Sequence, residues 1–136
     1  MEQWNDLAFA RSWAERNTGD STERRQPLDL LQRIVSDHLA SGSVPARVLD
    51  LGCGHGVIAA CILHELPRVA LVGVDGSPPM LELACERLAP FADRCVLAQA
   101  DFETMTPADL LGGPFGVAVA VQSLGSCPIA VPRIPC

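Results

Sequence analysis

The nine residues Val48-Leu49-Asp50-Leu51-Gly52-Cys53-Gly54-His55-Gly56 constrain this chain most. An apolar run tipped by an acid, then glycine at every second position, reads as a buried strand that turns sharply into a helix. Glycines at such a turn let the backbone bend and approach a ligand without Cβ interference. Asp50 narrows the choice of ligand. Two residues ahead of the first glycine, its carboxylate would repel a pyrophosphate and attract an amine. The spacing Gly52-x-Gly54-x-Gly56 also departs from the GxGxxG of dinucleotide sites.

In these residues the chain resembles the class I S-adenosylmethionine-dependent methyltransferases, whose first motif is an acid followed by GxGxG. The resemblance implies S-adenosylmethionine as cofactor, with Asp50 and the backbone of Gly52, Cys53 and Gly54 holding its methionine end.

The rest of the chain alternates strand and helix signals. Arg47 to Leu51 is the first strand, apolar apart from its ends, and Val57 opens a helix that Pro67 stops. Val69 to Asp75 is a second buried strand. Asp75 falls 19 positions after Gly56, the spacing of a ribose-binding acid, since a carboxylate can accept both hydroxyls of a diol. Gly76 follows it, and Ser77 can cap a helix with Pro78 at its first position. Cys95 to Gln99 is a third strand with Asp101 just beyond it, so three acids share the edge where open parallel sheets bind ligands. The resemblance assigns Asp101 to the adenine amino group and sets Phe102 beside the ring. Val117 to Val121 is a fourth buried strand. Ahead of it, Phe115 is followed by Gly116 where the family usually has an acid, and after it Gln122-Ser123 shows no His of the kind many small-molecule members carry.

Upstream, Trp4 to Arg16 has approximately helical apolar spacing; the resemblance would give Trp4 or Trp13 a lid role over cofactor and substrate, whereas the area an aromatic ring buries favours both rings packing the helix onto the sheet. A second helix is expected from Pro27 to the residues before Gly42. Three prolines between Cys127 and Cys136 predict an extended tail.

Composition excludes several chemistries. A net charge of -6 argues against capture of nucleic acid. All ten cationic side chains are Arg, so a P-loop lysine, a Schiff base and a lysine general base are ruled out. The six cysteines form no CxxC pair, and the three histidines have no ligand-like spacing with them, so no metal site is expected. No apolar run reaches the roughly twenty residues of a membrane helix, and the N-terminus lacks a secretory pattern, which makes the cytoplasm the default.

Together these readings predict an α/β, Rossmann-like parallel sheet of order 3-2-1-4 with flanking helices, truncated after the fourth strand. Residues 1–26 form an N-terminal helical segment, 27–124 the cofactor-binding domain and 125–136 the tail. The function expected is methyl transfer to a small molecule or protein, with no catalytic base identified, no nucleic acid and no membrane. The bare fourth strand predicts a homodimer. Two alternatives stay open: a non-catalytic remnant or interaction module of the same fold, and a nicotinamide-dependent oxidoreductase.

Overall fold

In the computed structural model, which describes residues 2–18 and 22–121, four parallel strands form one sheet. They are β1 (Arg47–Leu51), β2 (Ala70–Asp75), β3 (Cys95–Gln99) and β4 (Val117–Val119), in the order β3-β2-β1-β4 that the sequence predicts. Strands β1 and β3 fall where expected, as do α3 (Val57–Glu65) and α4 (Pro78–Leu88), which serve as crossovers. Upstream lie α1 (Leu7–Arg16) and α2 (Thr22–Ala40). No helix among the described residues is long and apolar enough to cross a membrane.

Side chains alternate across each strand, so the sheet has two unequal faces. On one, Val48, Leu71 and Val119 pack against Val35 of α2, Ile62 and Leu63 of α3, and Ala84 and Leu88 of α4. On the other, Leu49, Val72 and Val74 are covered by Phe102, Met105, Leu110 and Phe115 from the segment between β3 and β4. Asp50 shares a strand face with Val48, and Asp75 shares one with Leu71, so both acids lie on the helix side.

Arg94 secures the end of α3. Its guanidinium donates to the carbonyls of Leu63 (2.8 Å), Leu66 (3.1 Å) and Val69 (2.8 Å), where a helix C-terminus leaves carbonyls without partners. Arg94→Ala should therefore lower unfolding free energy by about 2 kcal/mol, within the range for hydrogen bonds to a charged group. Urea unfolding with an unchanged m-value would show it, and a midpoint equal to wild type would contradict it.

Four boundaries differ from expectation. α2 starts at Thr22 rather than at Pro27, which lies inside the helix and forfeits one rung of its hydrogen-bond ladder. The expected Trp4–Arg16 helix is broken at Asp6, whose carboxylate caps α1 by accepting from Ala8 N (2.7 Å) and Phe9 N (3.0 Å), leaving Glu2–Asn5 as a 3-10 turn. β2 begins at Ala70, one residue late. β4 pairs with β1 only from Val117 to Val119, so Ala120 and Val121 fall outside it. The readings of Gln122, Ser123 and the proline tail lie outside the described residues.

Gly116 has a steric explanation. A Cβ there would lie 2.1 Å from the carbonyl oxygen of Pro45 and 3.0 Å from side-chain atoms of Leu39 and Val44. The chain passes too close to the segment before β1 for any side chain, and the acid usual in the family has no room.

Candidate functional site

The turn after β1 is built as its glycines require. Gly52, Gly54 and Gly56 all have positive φ, at 72°, 53° and 81°. Gly56 is also the N-cap of α3, and a Cβ on it would press to 3.1 Å from Leu88 of α4. The turn is held to the next strand by its own amides. Gly52 N (2.8 Å) and Cys53 N (3.0 Å) both donate to Val74 O, Gly54 N donates to Asp75 Oδ2 (2.8 Å), and Gly56 N donates to Cys53 O (3.0 Å).

This wiring decides what the turn can bind. A phosphate-binding turn works by aiming free N–H groups at the anion. Here the amides of all three glycines and of Cys53 are committed within the protein, so those four do not face a ligand, and the carboxylates of Asp50 and Asp75 set the sign of the charge the turn can hold. Such a turn suits a cation.

Asp50 strengthens that character. It is 1% exposed, and its Oδ2 is buried with no hydrogen-bond partner. Burial, with the neighbouring charge of Asp75 adding to it, pushes its carboxyl up to about 7. A buried carboxylate with an orphaned oxygen is costly unless a donor or a cation satisfies it.

Asp75 joins two loops. While Oδ2 accepts from Gly54 N, its Oδ1 accepts from Ser77 N (2.9 Å), and each oxygen keeps a second lone pair for a further donor. Gly76 between them is open, because a Cβ there would meet only Ala100 O, at 3.5 Å. Asp50 pairs in register with Gly73 and Asp75 with Gln99. Asp75 thus stands two residues higher and one strand over from Asp50, and Asp101 lies two residues past Gln99. From Asp50 to Asp75 the step is roughly 7 Å up and about 4.8 Å across, and Asp101 follows in the turn beyond β3.

The remaining predicted residues are placed less distinctively. Cys53 is buried over β2, where a Cβ on Gly73 would come 3.1 Å from its Sγ, and burial pushes its thiol up, away from the reactive thiolate. Asp101 is exposed and accepts from Glu103 N (2.9 Å), the turn-forming use of an aspartate. Phe102 is half-buried in the cluster on the opposite sheet face. Among the described residues no three His, Cys, Asp or Glu side chains come together as a potential metal site.

His55 carried no signal in the sequence beyond its place between two glycines of the turn. It is 4% exposed. Arg87 of α4 donates to its carbonyl (Nε, 3.0 Å) and its Nη2 lies 3.3 Å from Nδ1, while the Trp13 ring of α1 stands edge-on at 5.4 Å. Because guanidinium only donates, Nδ1 is the acceptor, which puts the neutral ring's proton on Nε2. Only tertiary packing creates these contacts, so no local pattern announced them.

Comparison with known proteins agrees with this geometry. A family model described as "Methyltransferase domain" matches residues 48–133. Trans-aconitate 2-methyltransferase of Streptomyces avermitilis is 37% identical over 93 residues, covering 67% of this chain and 33% of that protein. Magnesium-protoporphyrin O-methyltransferase of Rhodobacter capsulatus is 29% identical over 132 residues, covering 91% of this chain and 55% of that protein. Among solved structures, magnesium protoporphyrin IX methyltransferase from Synechocystis PCC 6803 with bound SAH shares the fold, with a TM-score of 0.60 at 20% identity over 90% of this chain and 57% of that one. The chain spans about a third of the length of the trans-aconitate methyltransferases it matches. With its motif, its strand order and this match over more than half its length, the chain belongs to the methyltransferase-domain family, the class I S-adenosylmethionine-dependent methyltransferases.

Proposed function

We propose that this chain binds S-adenosylmethionine and takes part in methyl transfer to a small molecule or protein. The observation that carries the reading is the orphaned, buried oxygen of Asp50 beneath a turn whose amides are already committed. Such a site fits a ligand with a cationic amine. When bound, the cofactor supplies a sulfonium methyl that is already activated for transfer.

In this reading Asp50 meets the ammonium, and ionises as it does so. The free lone pairs of Asp75 accept the ribose hydroxyls, while its hydrogen bonds to Gly54 and Ser77 keep both loops in place. Asp101 and Phe102 are assigned to the adenine end on the resemblance alone. The chain's contribution to catalysis is then to hold and orient the donor and to exclude water, rather than to form a covalent intermediate. A cytoplasmic setting and a homodimer through the outer edge of β4 belong to the same proposal. The dimer is supported by the lack of a strand beyond β4 among the described residues.

The committed amides weigh against a nicotinamide dinucleotide, whose pyrophosphate needs them. Thermal-shift titration separates the two readings. S-adenosylhomocysteine, which keeps the amine and the ribose, should raise the melting temperature in a saturable way, and NADH should not. Stabilisation by NADH alone would overturn the assignment.

A further inference from the structure

A cavity of about 200 Å³ lies at the end of the sheet away from the glycine turn. Arg47, Ala70 and Cys95, the first residues of β1, β2 and β3, all border it. Ala70 and Asp75, at the two ends of β2, are roughly 17 Å apart along the strand. None of the residues proposed to hold the cofactor borders the cavity. Its floor is apolar. Val72 and Val96 are register partners, so their side chains share the sheet face opposite the helices. The segment between β3 and β4 crosses this face at Gly112, where φ is 91° and a Cβ would come 3.1 Å from Val72 Cγ2. Glycine lets the backbone lie that low, and Phe115 borders the same side. The cover stops short of β3. Phe102, Met105, Leu110 and Phe115 pack on Leu49, Val72 and Val74, while Val96 stays 59% exposed.

Arg47 supplies the charge. It lies two residues before Leu49 and so on the same face, and its Nη1 donates to Gly112 O at 2.6 Å, which fixes the guanidinium at the cavity's edge. Among the described residues it meets no carboxylate. With Nη1 engaged, the edge formed by Nε and Nη2 remains to take both oxygens of a carboxylate in parallel. Arg94 also borders the cavity, but its donors are spent on the carbonyls at the end of α3. Asp93 is the one acid in the lining, and it is exposed.

We propose that this cavity binds a small organic anion, a carboxylate on a compact apolar body, with the carboxylate on Arg47 and the body over Val72 and Val96 against Phe115. The volume falls below the usual range for drug-sized ligands, which limits the occupant to about ten non-hydrogen atoms. A ligand of that size binds in roughly the millimolar range. The site stands apart from the cofactor reading and does not depend on it.

Proton–nitrogen correlation NMR of the full chain, titrated with benzoate, benzamide and benzylamine, tests this. Benzoate should shift the amides of Val96, Gly112 and Phe115 along one saturating curve and leave Gly52 to Gly56 unmoved. Benzamide, which keeps the shape without the charge, should bind about tenfold more weakly, and benzylamine more weakly still. Arg47→Met should abolish the preference for benzoate over benzamide. Val96→Asp sits at an exposed position and keeps Arg47 with its bond to Gly112, so it remains decisive if Arg47→Met fails to fold. It should weaken benzoate about tenfold by placing a like charge on the floor. Asp93→Asn should bind benzoate at least as tightly as wild type. Equal binding of benzoate and benzamide, tighter binding of benzylamine, weaker benzoate binding in Asp93→Asn, or benzoate binding that survives Val96→Asp unchanged would overturn the site. Shifts that never saturate, or that spread over the whole surface, would overturn it as well.

Discussion

Replacing Asp50 with asparagine should stabilise the ligand-free protein at pH 8 while crippling its hold on S-adenosylmethionine. The folded-state pKa of Asp50 is raised to about 7 from an ordinary 3.8, chiefly by burial. Between those values the native state keeps a proton that the unfolded chain has released, so stability falls as pH rises from about 4 to about 7 and stays reduced above that. The full separation corresponds to roughly 4 kcal/mol, and relaxation around the charge would trim it. Asparagine is the uncharged isostere, so the mutant should lack this pH-dependent loss and melt higher than wild type at pH 8, with the gap closing toward pH 4. Its affinity for S-adenosylmethionine should drop about 100-fold, the upper end for a hydrogen bond to a charged group. A des-amino analogue should lose much less. Melting curves from pH 4 to 8, with calorimetry for both ligands, check this. A mutant less stable than wild type at pH 8, or equal losses for both ligands, would contradict the role.

Asp75→Ala should fail at two levels. It removes the acceptors of Gly54 N and Ser77 N, leaving two part-buried amides without their partners and loosening both loops, at about 2 kcal/mol of stability. It also removes the proposed acceptor of the ribose hydroxyls, so affinity for S-adenosylhomocysteine should fall roughly 100-fold. Circular dichroism would establish that the sheet survives before calorimetry is read. Equal affinity in a folded mutant would mean that the ribose lies elsewhere. Because the charge of Asp75 also raises the pKa of Asp50, the mutation should move the pH dependence of stability downward as well.

The sheet was legible in the sequence because its strands carry their own signals. β1 and β3 coincide with the expected runs, apolar segments bounded by glycine, proline or acids, of which β1 is buried and β3, at the sheet edge, is half-buried. Ser77 and Pro78 marked the start of α4 for a local reason as well, a hydroxyl accepting from Met80 N at 3.3 Å. Where local signals misled, tertiary contacts or overlapping cues decided. Pro27 is common at helix starts, yet here the helix runs on from Thr22. The apolar run after Gly116 continues to Val121, but pairing with β1 ends at Val119.

The site was legible in part. Glycine spacing and the three strand-tip acids were visible, and the register sets Asp50 and Asp75 two residues and one strand apart. Hidden from the sequence was how the hydrogen bonds are spent. The turn's amides are committed to Val74, Asp75 and Cys53, an arrangement that favours cations over anions and is invisible in a glycine pattern. His55, Trp13 and Arg87 are far apart in sequence, and only the packing of α1 and α4 around the turn brings them together.

The turn should receive a cation beside an Asp50 that loses its proton on binding. Calorimetric titration of the wild-type chain with S-adenosylmethionine at pH 7, in two buffers of different ionisation enthalpy, tests it most directly. The predicted result is saturable binding at one site with a net release of protons to the buffer that fades above pH 7, grows below it, and is absent in Asp50→Asn. Binding that releases no protons, or none at all by a chain with its sheet intact, would contradict the account.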